Sequence, residues 1–517
     1  MGNSFAYLAL FAWPVVTLVL FTRLPAHSAV LWSLLAGFLL LPPKVAVDLP
    51  GLPPFDKTTI PSLSALLCAL LVSGRDRPAL LPREPIALAL LALLLAGPVL
   101  TTLLNDDRLV YGPTTLPPLG LRDAVSAIVA TLLMIIPFLL GRHYFATPER
   151  HRELLAVLML AGLAYSLPML FEVRMSPQLN IWTYGFFPHS WLQQERYGGY
   201  RPVVFLAHGL ATAFFALLAL GAAITLRRLA PERSLHTMWT RGILLLVLLY
   251  LVGVLVLTKT LSVYAYALFL VPVLLLAGPR TQMRLAALMV AATLLFPVLR
   301  ANDLVPTTTL VGLAEAVDAE RADSLAARFF NEDILLEKAQ ERPLFGWGEW
   351  GRNRVYDPVR GQDLSTTDGQ WIVQFGSYGL VGFIGLFGLL ALPVLRIWQR
   401  APEEVPLATA GVAMLLAINM VNLLPNSTLL TLTWLMVGGL LGYAESLAPG
   451  RPARRRVGLT RAGPRPPEPD AAEAPAPAGI GTGPRAPSPA ELRRARRGTN
   501  RRGRAGRLGS GDRKSVV

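Results

Sequence analysis

The chain has 517 residues, of which 53% are hydrophobic and 16% charged, and a formal net charge of +15. That apolar share exceeds what a soluble core needs and excludes an ordinary water-soluble globular domain. The single cysteine, Cys68, lies inside an apolar run, so no intrachain disulfide framework is available and the residue reads as a small buried hydrophobe.

A helix needs roughly 20 apolar residues to cross the hydrocarbon layer. Windows of that kind centre near Leu10, Leu35, Leu67, Leu93, Leu132, Leu158, Phe215, Leu248, Leu268, Val290, Leu386, Met414 and Leu435. They predict an all-α polytopic membrane protein with about twelve or thirteen transmembrane helices. The first run, Phe5 to Phe21, has no basic region before it and no small-residue cleavage site after it, and is expected to be a retained first helix. Pro98, Pro137, Pro168 and Pro272 interrupt later runs, which membrane helices tolerate because neighbours satisfy the freed carbonyls.

Alternate short connections carry the arginines: Arg75, Arg77 and Arg83; Arg142, Arg150 and Arg152; Arg227, Arg228, Arg233 and Arg241; Arg280 and Arg284; Arg396 and Arg400. Basic short loops stay on the cytoplasmic side, so these are expected to face inward. The connections around Asp48 and Asn105-Asp106-Asp107, the loops 171–202 and 301–370, and the turn Pro425-Asn426-Ser427 then face outward.

In the first long outer loop, Arg196 and Arg201 stand just before the run from Val203 to Leu226, where their guanidinium groups reach either a phosphate or the lipid headgroups. Lys259, in the short turn Leu257-Thr258-Lys259-Thr260, has the same two options. His189 and His208 flank this loop and read as hydrogen-bonded structural residues; no metal site is expected. No phosphate-binding glycine loop, His-Glu-x-x-His or paired CxxC occurs.

The polar stretch from Ala301 to Gln370 is the longest connection, and long ordered loops usually carry function. Its apolar spacing predicts a surface helix over 323–340, capped by Asp323 or Ser324, with Arg328 free either to point down toward a cavity or to pair with Glu332 one turn on. Pro343 ends that helix, and Gly346 and Gly348 permit a turn bearing Trp347 and Trp350, suited to a membrane interface or to stacking on sugar rings. Asp368 is either a proton acceptor or the cap of the helix that follows. After Glu445 the composition changes to Pro, Ala, Gly and Arg, predicting a disordered basic cytoplasmic tail, 446–517, lying along anionic headgroups and binding no nucleic acid. Residues 1–445 form the transmembrane domain.

The order of parts resembles the O-antigen ligase and polymerase family of bacterial membrane glycosyltransferases. An arginine-glycine-aromatic stretch, Arg196-Tyr197-Gly198-Gly199-Tyr200, precedes a membrane helix. Arg342-Pro343-Leu344-Phe345-Gly346-Trp347-Gly348 matches a "Pro-Leu-x-Gly-x-Gly" turn, and Asp368 precedes the "Gly-Leu-x-Gly" stretch Gly379-Leu380-Val381-Gly382. Two departures stand out. Asp368 occupies a position where ligases carry His, and Lys259 is the nearest cation where many members have Ser-Arg. Both lean toward a polymerase.

The resemblance implies a GT-C-like fold in the bacterial inner membrane and an inverting, metal-independent reaction at its periplasmic face, without a cofactor. The donor would be an oligosaccharide on undecaprenyl pyrophosphate and the acceptor a sugar hydroxyl of another glycan. Arg196, Arg201 and Lys259 would bind the diphosphate, Arg328 and Asp368 would be catalytic, and Trp347 and Trp350 would touch the acceptor. Membrane lipids and other polysaccharide-assembly proteins are the remaining expected partners. Ligation to lipid A-core and a lipid-linked oligosaccharide flippase or transporter are the alternatives; the latter predicts mid-membrane charges and internal repeats, of which the sequence has little. A noncatalytic scaffold leaves the 301–370 loop unexplained.

Overall fold

Every apolar window centres in a helix of the computed structural model, which describes residues 2–48, 53–196, 198–230, 240–316, 318–400, 405–448 and 483. In chain order the helices are α1 (Ser4–Arg23), α2 (Ala26–Leu40), α3 (Thr59–Leu71), α4 (Pro85–Leu103), α5 (Leu121–Tyr144), α6 (Pro148–Met175), α7 (Leu179–Tyr184) and α8 (Gly209–Leu229). They continue with α9 (Arg241–Leu257), α10 (Leu261–Leu276), α11 (Pro279–Ala301), α12 (Thr307–Glu315), α13 (Ala319–Gln340), α14 (Gln370–Arg400), α15 (Leu407–Asn422) and α16 (Thr431–Ser446). The described strands form three short hairpins, 46–47 with 55–56, 109–111 with 114–116, and 195–196 with 199–200. The protein is an all-α polytopic membrane protein.

Among the described residues seven helices, α1, α4, α5, α6, α8, α11 and α14, are long and apolar enough to cross a membrane by themselves. Helices α2, α3, α9, α10 and α15 are also apolar but have 17 residues or fewer. The reason is local: Pro25 and Pro406 fix the starts of α2 and α15, and the turn at Lys259 (φ +50°) separates α9 from α10. The surface helix α13 begins at Ala319, ahead of the expected Asp323 or Ser324 cap, because Ala319-Glu320 favours helix and places an acid in the first turn.

Helices α8, α15 and α16 are buried on nearly all sides and form the centre of the bundle, whereas α1 turns Phe5, Leu8, Phe11 and Val15 outward. Small residues bring α16 against α5. A Cβ added at Gly438 would lie 2.1 Å from the Phe138 carbonyl oxygen, and one at Gly442 would lie 2.3 Å from that of Arg142. This is the close backbone approach by which helices associate where lipid removes the hydrophobic driving force.

The connections sort to two ends. At one, Glu445 accepts from Arg142 (2.8 Å) and from the Glu84 amide (3.0 Å), Arg396 and Arg400 pair with Glu84 (2.9 and 2.5 Å), and Tyr144 donates to the Asp76 carbonyl. At the other, Asn105 donates to the Gly346 carbonyl, Lys57 to Phe205 and Arg328 to Pro425, and the Gln370 amide donates to Leu423. Three arginine-bearing short connections thus meet at one end, and the 301–370 loop meets the turns at Asn105 and Pro425 at the other. The chain divides after Ala453 into Met1–Ala453 and Arg454–Val517. The expected basic tail, from 449 on except Gly483, and Tyr197 and Arg233 lie outside the described residues.

Candidate functional site

The turn at 342–348 and the "Gly-Leu-x-Gly" stretch, read separately in the sequence, form one unit. Inside α14 the chain kinks at Gly379 (φ 61°, ψ −159°), a conformation open essentially to glycine alone. The turn docks there through hydrogen bonds from Trp347 N to Gly376 O (2.9 Å), Gly348 N to Ser377 O (2.8 Å) and Leu380 N to Pro343 O (2.8 Å). Below it, Asp107 receives Arg342 and the buried Arg352, both at 2.9 Å. Burial, the largest single influence, raises the Asp107 carboxyl, but the hydrogen bond and charge of Arg342 together with Arg352 hold it below the usual carboxylate range.

This clamp fixes the end of α13, and a second one fixes its middle. Arg300, at the end of α11, pairs with Glu332 (3.4 Å) and Asp333 (2.6 Å), and Glu332 also accepts from the Trp371 indole. Burial raises the Glu332 carboxyl despite these donors. Glu332 is therefore committed to Arg300, and Arg328 finds its partners elsewhere. Its guanidinium donates to the Pro425 carbonyl (3.1 Å) and Asn426 Oδ1 (3.3 Å), with Nε 3.7 Å from Asp368 Oδ2. Asp368 faces this guanidinium at the start of α14, where the Gln370 amide is already taken by Leu423 O. Both side chains are a little over one-third exposed.

Around this pair other cations gather from distant parts of the chain. The His189 and His208 rings meet edge-on with centroids 4.6 Å apart. His208 caps α8, its Nδ1 accepting from the Leu210 amide (3.0 Å). Burial, then the charges of Arg201, His189, Arg328 and Lys44, lower it to about 3, so it stands as a neutral imidazole among cations. His189 is lowered by burial and by Lys44 and Arg201. Lys44, Arg201 and Arg328, far apart in the sequence, thus all act on the His208 ring. Arg201 is 7% exposed. Arg196 and Lys259 stand beside this group as a pair: Lys259 Nζ donates to the Arg196 carbonyl (3.1 Å), and Arg196 reaches Glu320 on α13 at 3.4 Å.

Backbone strain marks the same region. Lys44, Val204 and Lys259 are non-glycine residues with positive φ (56°, 54° and 50°), each costing on the order of 1–3 kcal/mol and persisting only where the surroundings over-determine them. Lys57, beside this segment, is buried, and burial, offset in part by Asp56, lowers its ammonium to about 7.

The two tryptophans separate. Trp347 is 6% exposed, donates its indole N–H to Lys338 O (2.7 Å), and carries Lys338 Nζ 3.5 Å and Arg342 Cζ 4.0 Å from its ring centre. Its ring is engaged in holding the loop. Trp350 is 66% exposed, at φ 58°, and lines a shallow cleft with Asp123, Glu349 and Tyr378 among others. That cleft shares no residue with the cation group.

Of the expected site residues, Arg328 and Asp368 pair directly, Arg201 and Arg328 both act on His208, Arg196 and Lys259 form a separate pair, and Trp350 is elsewhere. Sequence reasoning missed Lys44 and assigned His208 only a structural place; lone residues in short connections give no periodic signal. Among the described residues no three His, Cys, Asp or Glu side chains come together as a metal would require.

The chain is thus a helical membrane protein that sets an arginine against a carboxylate at its loop-bearing end. Residues 244–387 match the family model described as O-Antigen ligase (Wzy_C), which supports assignment of the chain to the O-antigen ligase/polymerase family. That family implies ligase- or polymerase-type activity on lipid-linked glycans. The matched stretch runs from α9 into α14 and contains Lys259, Arg328, both tryptophans and Asp368, but not Arg196 or Arg201. No curated protein and no solved structure matches the chain.

Proposed function

We propose that the protein is an inverting glycosyltransferase that polymerises undecaprenyl-pyrophosphate-linked oligosaccharide repeat units at the periplasmic face of a bacterial inner membrane. The observation that carries this reading is the Arg328–Asp368 pair, whose guanidinium acts on His208 together with Arg201 and Lys44. The diphosphate of the donor lies against Arg201, Arg328 and Lys44, with Arg196 and Lys259 at the rim. The acceptor hydroxyl oxygen attacks the anomeric carbon from the face opposite the diphosphate, and Asp368 takes its proton. The bond from that carbon to the diphosphate oxygen breaks, the electron pair stays on the oxygen, and the guanidinium groups stabilise the charge that develops. Fixed cations act strongly here because their positions need no reorganisation during the reaction.

Residues 1–445 carry this activity. Asp368, which takes the place of an imidazole, favours polymerisation over ligation. The test uses purified protein with a defined undecaprenyl-pyrophosphate repeat unit, following product length. Arg328→Ala is expected to lower turnover about 10²–10³-fold, and Asp368→Ala about 10²–10⁴-fold, at unchanged protein recovery. Full chain extension by both variants refutes the assignment, and transfer to lipid A-core without extension converts it to a ligase.

A further inference from the structure

Segment 201–208 joins the 195–200 hairpin to α8 and carries Arg201 at one end and His208 at the other. Its backbone is held by side chains from elsewhere. The Glu172 carboxylate, fully buried on α6, accepts the amides of Val203 (2.8 Å), Val204 (2.7 Å) and Leu179 (3.0 Å). The Tyr165 hydroxyl accepts the Phe205 amide (3.0 Å), and Lys57 Nζ, 9% exposed, donates to the Phe205 carbonyl (2.8 Å). Between these supports Val204 adopts φ +54°, and for a β-branched residue that is a genuine outlier. An acid gripping two successive amides and a base gripping the next carbonyl leave the peptide planes one arrangement. A buried carboxylate costs a great deal unless fully hydrogen-bonded, so the commitment of one of its oxygens to two successive amides of this segment points to the segment's shape as what is being secured.

We propose that Glu172 and Lys57 are positioning residues for donor binding, locking segment 201–208 in the strained turn that presents Arg201 to the diphosphate. The inference rests on the reading of this end as the diphosphate site. Neither residue touches the donor; each acts through Arg201.

The test titrates inorganic pyrophosphate into the purified full-length protein in detergent and compares Glu172→Gln, Lys57→Met, Arg201→Ala and the two doubles with Arg201→Ala. Glutamine keeps the volume of Glu172 but presents a single acceptor oxygen to three amides. Each single variant is expected to weaken binding about tenfold or more, and each double to bind no more weakly than Arg201→Ala alone, since the support has nothing left to aim. With lipid-linked donor, Glu172→Gln should raise the donor KM and leave the acceptor KM unchanged. Lys57→Met carries the test if Glu172→Gln fails to fold, because its loss removes a single hydrogen bond. Additive doubles, or equal rises in donor and acceptor KM, overturn the positioning role while the diphosphate site stands. If Arg201→Ala binds pyrophosphate as the parent does, the diphosphate reading falls and this inference with it.

Discussion

Replacing Gly379 by Ala tests whether the kink in α14 is what holds the 342–348 turn. At φ 61° and ψ −159° an L residue is strained by about 1–3 kcal/mol. The added Cβ would lie 2.3 Å from the Leu344 carbonyl carbon, 2.4 Å from its oxygen and 2.5 Å from the Phe345 nitrogen, all of them backbone. No side chain can rotate away, so the turn itself must lift. The hydrogen bonds from Leu380 N to Pro343 O (2.8 Å) and from Val381 N to Leu344 O (3.2 Å) are then lost, at about 1 kcal/mol each. Strain and lost bonds together give a destabilisation of roughly 3–5 kcal/mol. The assay is thermal unfolding of purified protein in detergent, with Gly253→Ala as the control. Gly253 sits exposed in α9 with nothing within 4 Å of an added Cβ, so that substitution should be neutral or stabilising by up to about 1 kcal/mol. Equal melting temperatures for Gly379→Ala and Gly253→Ala would refute the reasoning.

Trp347→Ala should destabilise by about 3–5 kcal/mol, because it empties a buried site and strips two cations of their ring. Trp350→Ala should leave the melting temperature unchanged; matching losses in the two variants would contradict their separate places. Asp107, whose carboxyl is depressed, contributes stability that is present above its unfolded pKa of about 3.9 and lost as pH falls through the folded value. Asp107→Asn should therefore lower the melting temperature at pH 6 and differ progressively less from the parent below about pH 4; a constant gap across that range argues against the Arg342 and Arg352 pairing.

The sequence by itself determined the helices, since about twenty apolar residues have few other places to go and a helix satisfies its own backbone. It also determined which connections were long, and it placed glycine where the 342–348 turn and the α14 kink approach each other. Several open choices were decided only by the tertiary structure. Arg328 had Glu332 one turn away, and Arg300 of α11 removed that partner, turning Arg328 toward Asp368 and Asn426. Trp347 and Trp350 read alike, until Lys338 and Arg342 occupied one ring and left the other open. Lys44 and Glu172 gave no signal in their own neighbourhoods. A charge takes its meaning from the groups within a few ångströms of it, and those groups lie on elements far along the chain that only packing brings together.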